Sequence, residues 1–306
     1  MKRQLLATSI AIGTLLAASA CATTAPGSST KADESKGTVK VVAAENFWGS
    51  LATQLGGDHA DVQSIITNPA SDPHDYEPTS TDATAIHGAQ MVIINGVGYD
   101  AWASKLATAN AVKSRIDLTV GDLVGVAPGG NPHRWYDPDN VRTVIDAITA
   151  GYQKLDPADA AYFDTQRSTV LNTNLKQYFD LINQIKTGYS GVPVGASESI
   201  FAPLATATGL DLVTPASFLD AISEGGEPTA ADKVTIDTQI KDKQIRVYVY
   251  NRQNATPDVQ AQVNEAKAAG IPVTTITETL TPAGASFQDW QVAQLKALLA
   301  ALTEAK

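Results

Sequence analysis

Residues 38–67 read TVKVVAAENFWGSLATQLGGDHADVQSIIT, and the stretch changes periodicity twice. Its first seven residues, 38–44, are apolar except for Thr38 and Lys40, a compact run that predicts a strand. FWGSLATQLGG then carries its apolar side chains at helical spacing and closes on Gly56 and Gly57, the residues expected just past a helix end. ADVQSIIT, residues 60–67, predicts a second strand. Strand, helix and strand in so short a span form a βαβ unit, whose two strands run parallel.

The alternation continues on either side. AQMVIING (89–96) predicts a third strand, with helical patterns over 80–88 and 99–112. From Pro138 to Tyr189 there is no strand signal. One helix is predicted from Pro138, and a longer one over 157–189, with Pro157 near its first turn and Gly188 at its end. At about 1.5 Å per residue the longer helix would extend roughly 45 Å. Strand patterns resume at 192–196, 209–214, 244–250 and 271–277, with helices over 258–270 and 286–306. The expected fold is therefore α/β. Two β/α lobes with parallel-rich sheets are joined by a long backbone helix: an N-terminal lobe over 38–150, the linking helix over 151–190 and a C-terminal lobe over 191–306. Ligands of such sheets bind beyond the carboxyl ends of the strands, which directs attention to the interlobe cleft.

Composition narrows the function. The chain has 306 residues, 43% hydrophobic and 18% charged, as in an ordinary globular protein. Its net charge of -10 speaks against nucleic acid as a partner, which wants a basic face. MKRQ followed by LLATSIAIGTLLAA has the basic and apolar regions of an export signal over 1–20. Small residues before Cys21 resemble a bacterial lipobox, although Ala18 stands where leucine is usual. The resemblance implies lipidation at Cys21 and an anchor at the outer face of the cell membrane; an ordinary secretory signal is the alternative. Residues 21–37 are small and polar and read as a flexible tether. With Cys21 the only cysteine, a metal on the folded part must be held by nitrogen and oxygen.

Two of the four histidines lie in similar proline-fenced loops, His74 in DPHDYEP and His133 in NPHRWYDPDN. Neutral imidazole is a good ligand for divalent first-row metals, and a braced loop reduces the entropy cost of binding. Local hydrogen bonding at the surface is the competing reading. His59 lies in a turn and is expected to be exposed; His87 ends a helix, where its charge suits the dipole. The second lobe has no histidine, so its donors would be oxygens. Glu198 follows the strand at 192–196 and Glu278 the strand at 271–277. Read singly, Glu198 is equally a helix N-terminal acid and Glu278 an exposed loop acid. Trp135 and Tyr76 would pack over the site, or simply fill the core. Asp75 and Asp137 are candidates to accept the second N–H of a ligand histidine.

DPHDYEPT, NPHRWYDPDN, SESIFAPLATATGL, SEGGEPTAAD and ITETLTP together resemble the zinc/manganese solute-binding lipoproteins of bacterial ABC importers. The resemblance runs from about residue 38 to the C-terminus. It implies a two-lobed, monomeric, non-enzymatic receptor that holds one divalent ion as cargo at His74, His133, Glu198 and Glu278. The family usually has aspartate where Glu278 stands. The implied partners are an ABC permease with its cytoplasmic ATPase, and the membrane through the N-terminal lipid. Two carboxylates make a harder donor set that favours Mn²⁺, with Zn²⁺ as the alternative cargo. A surface adhesin and a metal-dependent hydrolase are the competing functions; neither HExxH nor GxSxG occurs.

Overall fold

The structure, a computed structural model, describes residues 37–69 and 76–305. The expected export signal, Cys21, the tether up to residue 36, His74 and Asp75 lie outside the described residues. The first half runs β1 (Val39–Glu45), α1 (Asn46–Gly56), β2 (Ala60–Ile66), α2 (Ser80–Gly88), β3 (Met91–Ile94), α3 (Ala101–Ala109), β4 (Ile116–Thr119) and the short α4 (Val120–Leu123). A helical stretch follows, with α5 (Pro138–Leu155), α6 (Ala160–Thr169) and α7 (Lys176–Tyr189). The second half runs β5 (Pro193–Ala196), α8 (Ala202–Thr208), β6 (Asp211–Leu212), α9 (Ala216–Ser223), α10 (Ala230–Lys241), β7 (Val247–Asn251), α11 (Pro257–Ala268), β8 (Val273–Ile276) and α12 (Phe287–Glu304).

The fold is α/β with two four-stranded sheets, ordered β2-β1-β3-β4 and β6-β5-β7-β8. Every pairing in both is parallel. Helices cover such sheets on both faces, so their strands want continuous apolar runs. MVII of β3 is buried throughout, and β1 is buried except at Lys40. In each sheet the chain turns to opposite sides of its first strand. The crevices between β1 and β3, and between β5 and β7, are therefore the topological switch points where ligands collect.

The stretch 157–189 differs from a single straight helix. Helical structure over it is interrupted by a π-helical turn, Val170–Asn174, between α6 and α7. Leu175 N donates to Val170 O at 2.9 Å, five residues back. The local sequence TVLNTN is β-branched and amide-rich, a poor helix former. Asn174 instead donates to Gln54 Oε1 of α1 at 2.9 Å, and Gln54 pairs with Gln288 of α12 at 3.0 Å. The irregular turn thus sits where this helical stretch meets a helix from each half.

One apolar core spans both halves: Val39 and Val41 of β1 belong to the same cluster as Val194 of β5 and Leu298 of α12. Phe47 stacks on Trp135 at 4.1 Å and lies 6.4 Å from Trp290. Tyr136 Oη donates to Thr277 O at 2.9 Å, and Trp290 Nε1 to Thr277 Oγ1 at 2.8 Å. Each buried aromatic is worth about 4–6 kcal/mol at 150–250 Å² apiece. Opening the halves would expose these rings to water, which opposes a wide separation of the two sheets.

Candidate metal centre

Glu198 stands two residues past β5, in extended conformation, and its carboxylate makes no cap to the 3₁₀ turn Ser199–Phe201 that follows. It turns instead to two amides. Asn254 Nδ2 donates to Oε2 at 2.8 Å, and Asn251 Nδ2 donates to Oε1 in a short contact. Glu278 stands two residues past β8, and the same Asn251 Nδ2 donates to its Oε1 at 2.8 Å. Asn251 Oδ1 accepts from Gln253 N at 3.0 Å, which fixes the amide with its nitrogen toward the acids. A single amide at the end of β7 therefore clamps both carboxylates. Tyr99, from the first half, donates its hydroxyl to Glu278 Oε2 at 3.0 Å.

His133 reaches the same place from the opposite side, with Nε2 3.6 Å from Glu278 Oε1. Asn131 Oδ1 lies 3.0 Å from its Nδ1 and also accepts from His133 N. An amide oxygen only accepts, so Nδ1 carries the proton and Nε2 is the nitrogen suited to a metal. Asn131 Nδ2 donates across the cleft to Ser199 O at 2.7 Å. The preceding loop is pinned by Asn95, at the end of β3, which donates to Pro132 O at 2.9 Å and accepts from Trp48 Nε1 at 3.1 Å. Beneath it, Asp100 accepts from Asn95 N and Gly96 N at 2.6 and 2.7 Å.

All three side chains are buried: relative exposure is 0% for His133, 1% for Glu198 and 3% for Glu278. Burial, and then the charge of Glu278, push the Glu198 carboxyl up to about 8, against the lowering effect of His133 and the two amides. The metal-free centre therefore keeps a proton near neutral pH. Glu45, at the end of β1, is held well above the usual carboxylate range by burial and by Asp100. Beside the centre opens a cavity of about 440 Å³. Tyr99, Asn131, Pro132 and Ser199 form its inner wall, together with Asp220 and Glu224.

The structure brings His133, Glu198 and Glu278 together. Glu278 is not the exposed loop acid of the simpler reading. Asp137 is spent on capping α5, accepting from Asp139 N and Asn140 N at 2.9 and 3.1 Å, and Asn131 takes the role considered for it beside His133. Trp135 packs in the core with its ring 5.2 Å from His133. Tyr76 packs on Trp102 at 4.8 Å and donates to Asp82 at 2.9 Å, while the histidine it is expected to flank lies outside the described residues. His87 ends α2 and is exposed. His59 is half-buried and pairs with Asp159. The supporting residues Tyr99, Asn131, Asn251 and Asn254 were not singled out by sequence reasoning. The one signal for Asn251 was its place at the carboxyl end of a central strand.

The family described as ZnuA, zinc-uptake complex component A, periplasmic, matches residues 41–301. The chain is 28% identical over 163 residues to the iron-binding protein YfeA of Yersinia pestis, covering 50% of this chain and 51% of that one. The match thus spans about half the length of that relative. It is 24% identical over 229 residues to the manganese ABC transporter substrate-binding lipoprotein PsaA of Streptococcus mitis, covering 68% and 70%. In fold it is similar to the Mn-bound periplasmic metal-binding protein of Candidatus Liberibacter asiaticus, with TM-score 0.72, 19% identity, and coverage of 87% of this chain and 100% of that one.

Proposed function

This chain belongs to the ZnuA family of periplasmic zinc-uptake components, and on that premise we propose that it is the extracytoplasmic substrate-binding component of an ABC importer. It captures a divalent transition-metal ion and hands it to a membrane permease driven by a cytoplasmic ATPase. The observation that carries this reading is the convergence of His133, Glu198 and Glu278 in one buried centre between the two sheets. Two ligands of one ion at roughly 2.0–2.2 Å in a tetrahedron stand about 3.3–3.6 Å apart. The 3.6 Å between His133 Nε2 and Glu278 Oε1 is compatible with that edge. Two carboxylates cancel the charge of a divalent ion, so the loaded centre buries no net charge. His74 is the proposed fourth ligand.

The ion is cargo, and the activity is binding and release without catalysis. Two carboxylates with two imidazoles favour Mn²⁺, since carboxylates can raise the coordination number above four; Zn²⁺ is the alternative. The family relatives named for iron and manganese are consistent with a cargo other than zinc. Lipidation at Cys21 would hold the monomer at the outer face of the membrane, with residues 21–37 as its tether. Asn251 and Asn254 hold the carboxylates, and Asn131 sets the imidazole tautomer, so His133, Glu198 and Glu278 are held in place before the ion arrives. Binding displaces the proton on Glu198.

Competitive titration of chelator-stripped protein with Mn²⁺ and Zn²⁺, by calorimetry and native mass spectrometry, tests this reading. One tight ion per chain that is lost in Glu278→Ala is expected. No stoichiometric binding of either ion, or tight binding indifferent to Glu278, overturns it.

A further inference from the structure

Away from the interlobe centre, another group of metal-ligating side chains converges among the described residues. His59, Asp156 and Asp159 each offer a donor atom, and these atoms lie within 4.8 Å of one another. We propose that they form a second, peripheral site on the first lobe for a first-row divalent cation, with one imidazole and two carboxylates as ligands.

The spacing suits one ion. His59 Nδ1 is 3.2 Å from Asp159 Oδ2 and 3.9 Å from Asp156 Oδ2. Tetrahedral zinc ligands at roughly 2.0–2.2 Å stand about 3.3–3.6 Å apart, so both histidine–carboxylate separations lie within a few tenths of an ångström of that edge, and the two carboxylates, whose donor atoms lie within 4.8 Å of each other, would close on the ion by rotation of their side chains. The imidazole is already fixed. It lies 4.1 Å from the Tyr162 ring and 5.8 Å from Phe163, which meets it edge-on. The 3₁₀ turn Gly57–His59 is seated on Tyr162 so closely that a Cβ on Gly57 would stand 2.0 Å from the tyrosine oxygen. Gly57 also has φ +49, a conformation that favours glycine.

The acids point the same way. Asp156 precedes the 3₁₀ turn Pro157–Asp159, and Asp159 precedes α6. Aspartate at such positions ordinarily accepts from the first backbone N–H groups. Neither side chain caps the element it precedes, and each places an oxygen within 3.9 Å of His59 Nδ1. Asp159 N donates to Asp156 O at 3.2 Å, a tight turn that brings the two side chains together. Side-chain exposure of 31% for His59, 15% for Asp156 and 30% for Asp159 leaves room for water to complete the coordination. The site would therefore bind more weakly than the buried centre and exchange with the medium. An occupied site would tie the turn after α1 to the junction of α5 and α6. The competing account is a protonated His59 paired with the two acids and no metal.

Zinc titration of the stripped protein, followed by native mass spectrometry and thermal unfolding, separates the two accounts. Four forms are compared: wild type, His133→Ala, His59→Ala with Asp159→Asn, and the combination of all three substitutions. Wild type should take two ions, each partial variant one, and the combination none. Zinc should raise the unfolding temperature of His133→Ala and leave that of the combination unchanged. The milder Asp159→Asn alone should weaken the second ion while the metal-free protein unfolds as before. Absence of zinc on His133→Ala, or an ion retained there after His59 and Asp159 are replaced, overturns the proposal. One ion on both wild type and His133→Ala, lost with His59, would uphold this site and remove the interlobe reading instead.

Discussion

The sheets β2-β1-β3-β4 and β6-β5-β7-β8 share one strand order and one parallel sense, yet they deliver donors to the centre differently. In the second half both carboxylates sit two residues past a strand, and an amide at the end of a third strand clamps them. In the first half His133 lies in a loop well beyond β4, held by Asn95 and by Asn131, which itself reaches across to Ser199. Strand ends embedded in a sheet move little. A loop held by a few hydrogen bonds can shift without unpacking the aromatic core. If these residues hold an ion, the second half would act as the fixed jaw and the first half would supply the part that yields.

The largest effect should come from the yielding side. His133→Ala removes a proposed ligand outright and is expected to abolish tight binding, measured by competition against a chelator; nanomolar affinity in that variant would remove His133 from the ligand set. Next comes the clamp. Asn251→Ala leaves every proposed ligand in place but frees both carboxylates, and should weaken binding by about 10–100-fold, as losses of supporting hydrogen bonds to metal ligands do. Asn131→Ala should cost a similar factor but act mainly on the dissociation rate, because it frees the mobile jaw. Equal effects of the two on association and dissociation would erase the distinction between jaws.

Acidity supplies a third contrast. The Glu198 carboxyl is pushed up to about 8 by burial, whereas in the unfolded chain it titrates as an ordinary glutamate near 4.3. The folded metal-free protein therefore holds a proton that the unfolded chain gives up between those values. Stability from this group is complete below the unfolded value and is lost as pH rises through about 8. Glu45 and Asp100 are shifted in the same direction. The metal-free protein should melt at lower temperature near pH 9 than near pH 6, by about 2–4 °C per kcal/mol lost. Glu198→Gln should flatten that slope, and a slope unchanged in the variant would place the proton elsewhere. Metal affinity should rise over the same range, as the displaced proton becomes easier to remove.

The smallest effect concerns approach. Asp220 and Glu224 line the cavity beside the centre, with Asp220 close enough to feel the charge of His133. Replacing both with their amides should slow association a few-fold at low salt, with little change at high salt, because exposed charges steer cations and are screened. Stopped-flow rates that ignore both substitutions would show that the ion enters by another path.

Much of this was written locally. Residues 38–44 and 192–196 read as strands because a strand buried on both faces needs an unbroken apolar run, a signal carried within a few residues. His133, Glu198 and Glu278 could be singled out because chemistry-bearing side chains just after strands, or in braced loops, stand out against ordinary turns. Other features were too short or too context-bound to register. The edge strand β4, IDLT, has Asp117 exposed and no fully buried residue, so it lacks the unbroken apolar run of β3, and the π-helical turn depends on Asn174 meeting Gln54 from a distant helix.

The sequence by itself determined the α/β alternation and a short set of donors, since both follow from side-chain periodicity and type. Only the tertiary structure decided that Glu278 is buried, and that Asn251 holds it together with Glu198 across 27 and 53 residues of chain. It likewise decided that Asn131, and not Asp137, orients His133. An asparagine that clamps two acids has the same local sequence signature as one that ends a strand. Its role comes from which distant groups the packed sheets bring within about 3 Å, and hydrogen bonding falls away too steeply with distance and angle for any local pattern to encode it.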